Sequence, residues 1–251
     1  MNINFEWLQF SFLDWLACIV FFASWIGYTR FAIYKSRKTP ALATALHHHR
    51  QQWMLNAVSS FRAETARDII AVGMFERSVA FFASTTILIL AGLLTVLGSS
   101  EKVTSVLASL HFVNHAVLEQ IQLKILLIIL LFAHAFFKFC WSMRCYGFLT
   151  TMLGAVPIHF FKDTEDRQEP SEEMREWSDR VAEVMSSAAH HFNLGLRAYY
   201  FCLALLAWFI HPLLFILASV VVVAVLYRRD FKSYVLKNLQ LSITTSNDRK
   251  N

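Results

Sequence analysis

The segment VAFFASTTILILAGLLTVLG, residues 79–98, runs for twenty positions without one charged side chain. At 1.5 Å per helical residue it reaches about 30 Å, the thickness of the hydrocarbon core of a bilayer. Apolar stretches of similar character lie at residues 15–33 and 123–147, and a further one extends from Arg197 to Arg228, broken only by His211-Pro212. Composition agrees with this pattern. Of 251 residues, 56% are hydrophobic and 16% charged, against about 45–50% and about 25% in soluble domains. Such a surplus cannot all be buried in a water-facing core. The expected fold is all-α, a polytopic integral membrane helical bundle of four to five membrane segments with cytoplasmic amphipathic helices. The low charge excludes intrinsic disorder, and four cysteines in 251 residues exclude a small disulfide-rich secreted fold.

The last apolar stretch poses a choice. As one helix, residues 197–228 would reach about 46 Å, too long for an untilted span. Two short crossings, 198–210 and 213–227, joined at His211-Pro212, are the preferred reading, and a single Pro-kinked helix is the alternative. Basic residues give the orientation. Eight Lys and Arg fall from Arg30 to Arg77, two (Lys102 and Lys124) between the second and third spans, seven from Lys138 to Arg197 and six from Arg228 onward. With the hairpin, 21 of the 23 lie on one side, which the positive-inside rule makes cytoplasmic. The expected topology has the amino terminus outside and the carboxyl terminus inside. Residues 1–29 hold no Lys or Arg, so the positive region of a cleavable signal peptide is absent and the amino terminus is expected to stay attached.

The expectation is one membrane domain over residues 1–238, with spans at 15–33, 79–98, 123–147, 198–210 and 213–227, and a disordered tail at 239–251. Segments 34–77 and 158–196 are expected to be cytoplasmic. Within 40–77 the chain reads as one or two amphipathic helices, with Trp53, Ala57, Phe61, Ile69, Val72 and Phe75 facing inward and Arg62, Glu64, Arg67, Asp68 and Glu76 on the polar side. Residues 163–183 hold nine of the eighteen acids against three arginines and read as a solvated loop, with Pro170 turning the chain before a helix near Glu172. The net charge of +5 and pI near 9.1 follow this topological placement, so no nucleic-acid partner is expected.

Particular residues carry a resemblance. Trp53-Met54, Arg62, Arg67, Asp68, the run Phe81 to Thr86, and Phe136-Phe137-Lys138-Phe139 with Trp141-Ser142 and Arg144 form the first part. The second part is His191-Phe192-Asn193, Gly195, Arg197-Ala198-Tyr199-Tyr200-Phe201, then Trp208-Phe209, His211-Pro212 and Val225-Leu226-Tyr227-Arg228-Arg229-Asp230-Phe231. Over residues 15–234 this pattern resembles the bacterial and plant membrane family of domain of unknown function 599. Asp230 departs from the Glu expected in its Arg-Arg-x-Phe motif, and keeps the charge. A bacterial cytoplasmic (inner) membrane location is expected. The resemblance implies no activity, since the family's own function is uncharacterised.

Chemistry-bearing motifs are absent: there is no nucleotide-binding glycine loop, no Ser-His-Asp set at recognisable spacing, no H-E-x-x-H and no C-x-x-C. Cys18, Cys140, Cys145 and Cys202 lie in apolar segments and read as core residues. Near-absence of carboxylates inside the spans disfavours proton- or sodium-coupled transport. Cations stand out instead. On the third span His134, Lys138, Trp141 and Cys145 share a face by their i, i+4, i+7 and i+11 spacing, with Arg144 projecting nearby. Lys138, Arg144 and Arg197, with Tyr199 or Tyr200 as hydrogen-bond donors, are the candidate site for an anionic solute or lipid headgroup. Snorkelling to the interface is the plainer account of the same cations.

Histidines are the second candidate set. His47, His48 and His49 form a cytoplasmic run that reads as a solvated tract or a metal site. His111, His115 and Glu119, at four-residue intervals, have zinc or copper ligand geometry on an external helix. His134, His190, His191 and His211 lie near the membrane, where two from different helices would suit haem. Packing is the plainer role for these four, a surface helix without metal the plainer account of His111, His115 and Glu119, and no cofactor is expected. Ala80, Ser84, Thr85, Ala91-Gly92, Gly147, Thr151 and Gly154 would allow close helix approach and a homo-oligomer in the lipid bilayer. The preferred reading is a non-enzymatic oligomeric membrane protein that binds or conducts an anionic lipid or small anion. A haem or metal protein is the alternative, and an enzyme on a lipid-linked substrate with His191 or His134 as general base comes third.

Overall fold

The computed structural model describes residues 10–36, 38–39, 41–59, 62–108, 118–162 and 170–248, and among these all regular structure is helical. Five helical stretches are long and apolar enough to cross a membrane: Phe12–Ser36, Ala66–Gly98, Leu118–Gly154, Glu172–Phe209 and Pro212–Ser242. This is the make-up of a multi-pass membrane protein. Large apolar side chains along these helices are exposed, Leu88, Phe81 and Leu203 among them, and their exposure is compatible with lipid contact.

The helices overrun the apolar spans read from the sequence. The first stretch joins α1 (Phe12–Phe22) to α2 (Tyr28–Ser36) through a π-helical turn at Ala23–Gly27. After α3 (Leu42–Ser59), helix α4 (Arg62–Gly98) carries the amphipathic segment and the charge-free run as one rod, because nothing between them interrupts the hydrogen-bond ladder. A short α5 (Ser100–Ala108) precedes α6 (Leu118–Gly154) and the four-residue α7 (His159–Lys162). Next, α8 (Glu172–Leu206) begins where Ser171 Oγ accepts from Met174 N, with Glu172 and Glu173 complementing the helix dipole in its first turn. The acidic stretch from Glu172 onward is therefore helix rather than loop, while residues 163–169 lie outside the described residues.

A 3-10 turn, Ala207–Phe209, ends that helix, and α9 (Pro212–Phe231) starts with Pro212 in the first-turn position that tolerates its missing N–H. His211 Nδ1 caps it by accepting from Leu213 N at 3.1 Å. The chain reverses here. Phe21 contacts both Phe201 and Phe215, at centroid separations of 5.7 and 5.0 Å, whereas a continuous helix would hold those two rings about 21 Å apart. Two antiparallel helices therefore replace the single kinked one.

The chain forms two compact units. The first comprises Met1–Lys35, Thr85–Phe136 and Gly195–Arg228. In it α1 and α8 run antiparallel, as the pairs Asp14 with Trp208 and Phe21 with Phe201 show. Phe132 against Tyr199 and Lys124 against Trp208 set α6 antiparallel to α8. Buried Ala17, Phe21, Phe201, Leu205 and Phe215 supply its core.

The second comprises Ser36–Ser84, Phe137–Leu194 and Arg229–Asn251. Here Phe75 stacks on Tyr146 at 6.1 Å and Phe82 meets Phe139 at 5.7 Å, so α4 and α6 are antiparallel. Val58, Val156, Phe160 and Met174, with Trp177 against them, form a core cluster. Of the residues expected to face inward, Ala57 and Val72 are buried and Phe75 is exposed, while Phe61 lies outside the described residues.

Two expectations are corrected in this second unit. Asp68, assigned to the polar side, is 3% exposed, because the Trp53 indole donates to its Oδ1 at 2.9 Å and shields it. The tail expected to be disordered is helical through α10 (Tyr234–Asp248), because it packs on α3: Leu236 is buried and His49 Nε2 lies 3.2 Å from the Leu239 carbonyl. Gly92, Gly147 and Gly154 do not mark close crossings within the chain, since a Cβ added at any of them meets no atom within 4 Å.

Candidate functional site

Two groups of charged residues contrast in the structure. In the first unit, Asp14 lies in the first turn of α1 and forms a capping box with Ser11, whose backbone N donates to Asp14 Oδ2 at 3.1 Å. Trp208 Nε1 donates to the other oxygen, Oδ1, at 2.7 Å. Lys124 Nζ donates to the Trp208 carbonyl at 3.1 Å and stands 4.9 Å from the indole centroid. The indole itself stacks on Phe10 and Phe215. Asp14 is 9% exposed and Lys124 6%. An anion and a cation are thus removed from solvent with a partner for each named atom, which is the arrangement of a fastening. The sequence shows Asp14 and Lys124 only as residues at segment edges, and Trp208 only as part of the Trp208-Phe209 pair before His211-Pro212, with nothing to join the three.

In the second unit, a groove of about 370 Å³ runs between α4 and α6. Its lining is Glu76 from α4 and Met143, Arg144, Gly147, Phe148 and Thr151 from α6. One helical turn of α6 separates Arg144 from Phe148 and Gly147 from Thr151, so both rows present to the groove. Gly147 leaves the wall between them bare, with open space where a Cβ would stand. Arg144 and Phe148 are exposed and Glu76 is half-buried. Glu76 and Arg144 carry opposite charges in one groove, yet among the described residues neither forms an ion pair with the other or with any third group.

Of the residues proposed for an anion site, Arg144 lines this groove. Lys138 leaves the same helix six residues earlier, about 9 Å along the axis and about 120° around it, so the two do not share a face. Lys138 is a charged neighbour of His191. Arg197 belongs to the first unit, where its guanidinium stands 5.4 Å from the Tyr28 ring centroid. Tyr199 shares a 2.7 Å hydrogen bond with Thr86 Oγ1, and Tyr200 is exposed.

The histidines take separate places. His134 meets Trp25 edge-on at 5.4 Å and His211 caps α9, both in the first unit. His190 and His191 lie ring to ring at 5.6 Å in the second, with Trp141 6.2 Å from His191. His191 Nδ1 is buried without a hydrogen-bond partner among the described residues. His47 Nδ1 lies 2.8 Å from Ser186 Oγ, and Arg50 donates to the same oxygen at 3.4 Å, so the expected solvated tract is instead tied to α8. Burial pushes the Arg50 guanidinium below its ordinary value, and the nearby Tyr146 opposes that shift. His111 and His115 lie outside the described residues, and Glu119 is exposed in the first turn of α6. No group of three or more His, Cys, Asp or Glu able to hold a metal occurs among the described residues.

A family model described as a protein of unknown function, DUF599, matches residues 16–235. No curated protein and no solved structure matches the chain.

Proposed function

This chain belongs to the DUF599 family, and from that premise we propose that it is a non-enzymatic multi-pass protein of a bacterial cytoplasmic membrane that binds the phosphate group of a lipid or small anion at Arg144. The observation that carries the reading is an exposed guanidinium lining a groove with no ion-pair partner among the described residues. Arg presents a planar fork that matches two phosphate oxygens, and near a membrane surface that match is strengthened by partial desolvation. The distribution of Lys and Arg supports an external amino terminus, which sets the groove toward the inner leaflet. Lys138 and Arg197 are not needed for this binding, because one faces away from Arg144 on α6 and the other stands over Tyr28.

Native mass spectrometry of the purified protein tests the reading by counting retained phospholipid or added inorganic phosphate. Arg144→Gln is expected to lose the bound species, while Lys138→Met and Arg197→Lys retain it. Equal retention in Arg144→Gln and wild type would reject the site. Reporter fusions after Arg229 test orientation separately, and activity on the external side would reject it.

A further inference from the structure

We infer that the groove selects a zwitterionic aminophospholipid, with Arg144 holding the headgroup phosphate and Glu76 its primary ammonium; this rests on the phosphate-binding reading above and adds the class of ligand. Opposite charges placed in a shared groove would ordinarily be expected to close on each other. Here Glu76 and Arg144 do not pair, and about 370 Å³ of space lies along the groove they line. A net-anionic ligand would satisfy Arg144 and set its excess charge beside Glu76. A phosphoethanolamine group instead brings a phosphate and an ammonium joined by a two-carbon linker, one charge for each wall. The ammonium has three N–H donors for a carboxylate, and a trimethylated headgroup has the same charge but no donor.

Depth along the helix supports a lipid as the source of that headgroup. Glu76 lies three residues, about 4.5 Å, before the charge-free run at 79–98 whose length equals the hydrocarbon core. It is therefore at headgroup level on α4. The antiparallel contacts of Phe75 with Tyr146 and Phe82 with Phe139 bring the Arg144 turn of α6 to the same level. Around the two charges the surface is apolar, with Met143 and Phe148 in the groove and exposed Phe75 next to Glu76 on α4, so acyl chains have a face to lie on. Bare Gly147 keeps the space open between them.

The test is lipid competition read by native mass spectrometry, from nanodiscs containing equal amounts of phosphatidylethanolamine, phosphatidylglycerol and phosphatidylcholine. Wild type is expected to retain phosphatidylethanolamine over each of the others by roughly three- to fivefold, the upper part of the range an exposed ion pair supports. Glu76→Gln should abolish the preference over phosphatidylglycerol while keeping total retention, and Arg144→Gln should lose retention of all three. Gly147→Leu, which fills the groove without meeting protein atoms at its Cβ, should also lose all three. If Arg144→Gln loses lipid but wild type shows no preference, or Glu76→Gln leaves the preference intact, the selection is overturned and phosphate binding stands. Unchanged retention in Arg144→Gln overturns both. The wild-type competition decides selection even if a variant fails to fold.

Discussion

Asp14 and Glu76 are each a carboxylate beside an apolar helical segment, and the two units treat them oppositely. In the first, Asp14 accepts from Ser11 and Trp208, and Lys124 is held by the Trp208 carbonyl, so an anion and a cation are buried together. In the second, Glu76 and Arg144 remain partly or fully accessible and unpaired among the described residues. Burial makes the first pair expensive to disturb, since removing one member leaves its partner's polar atoms without compensation. Exposure makes the second pair cheap to keep and available to a ligand. A charge near a membrane span is thus not informative by its type; its partner decides whether it fastens the fold or waits for something else.

Substitutions in the first unit should give the largest effects. Lys124→Met is expected to destabilise by about 3 kcal/mol, because it strips the Trp208 carbonyl of its donor and leaves Asp14 without a nearby cation. Thermal unfolding in detergent would show it, and a Tm shift no larger than that of Arg144→Gln would erase the contrast between the units. Trp208→Phe should follow, at about 2 kcal/mol, since the ring stack on Phe215 survives but Asp14 Oδ1 loses its N–H donor.

Asp68 sharpens the comparison from inside the second unit. It is buried like Asp14, yet only Oδ1 has a hydrogen-bond donor, while Oδ2 has none among the described residues. Asp68→Asn should therefore destabilise less than Asp14→Asn, in the same unfolding assay, because a neutral amide relieves an uncompensated oxygen. The reverse order would show that burial alone, and not the count of partners, sets the cost. The smallest effects belong to the groove: Arg144→Gln and Glu76→Gln should each stay within about 0.5 kcal/mol of wild type, and Gly147→Ala should stabilise by about 0.5–1 kcal/mol, because its Cβ meets open space inside a helix. A drop of several degrees in Tm for any of them would mean that the residue supports the fold.

Much of the architecture is legible in the residues themselves. The charge-free run at 79–98 lies within one long helix, the capped start of α8 follows Pro170-Ser171, and the break at His211-Pro212 is a reversal. Other parts misled for identifiable reasons. The acid count from Glu172 onward suggests solvated loop, but Glu, Met, Arg and Ala favour helix, and burial of Met174, Val181 and Ala182 on one face stabilises it. Asp68 reads as a surface residue because its indole partner, fifteen positions earlier, sits on a separate helix. The polar tail at 239–251 offers little hydrophobic signal of its own, and its helix packs on α3, some 190 residues away along the chain.

The all-helical class, the apolar runs and the distribution of basic charge are properties of neighbouring residues, and the sequence alone determined them through hydropathy, the 1.5 Å rise and capping chemistry. Which charges are closed and which are open was decided only by tertiary structure. Trp208 reaches Asp14 across 194 positions and Lys124 across 84, and Glu76 shares a groove with Arg144 from another helix. Solvation and pairing depend on those distances in space, and no local pattern encodes them.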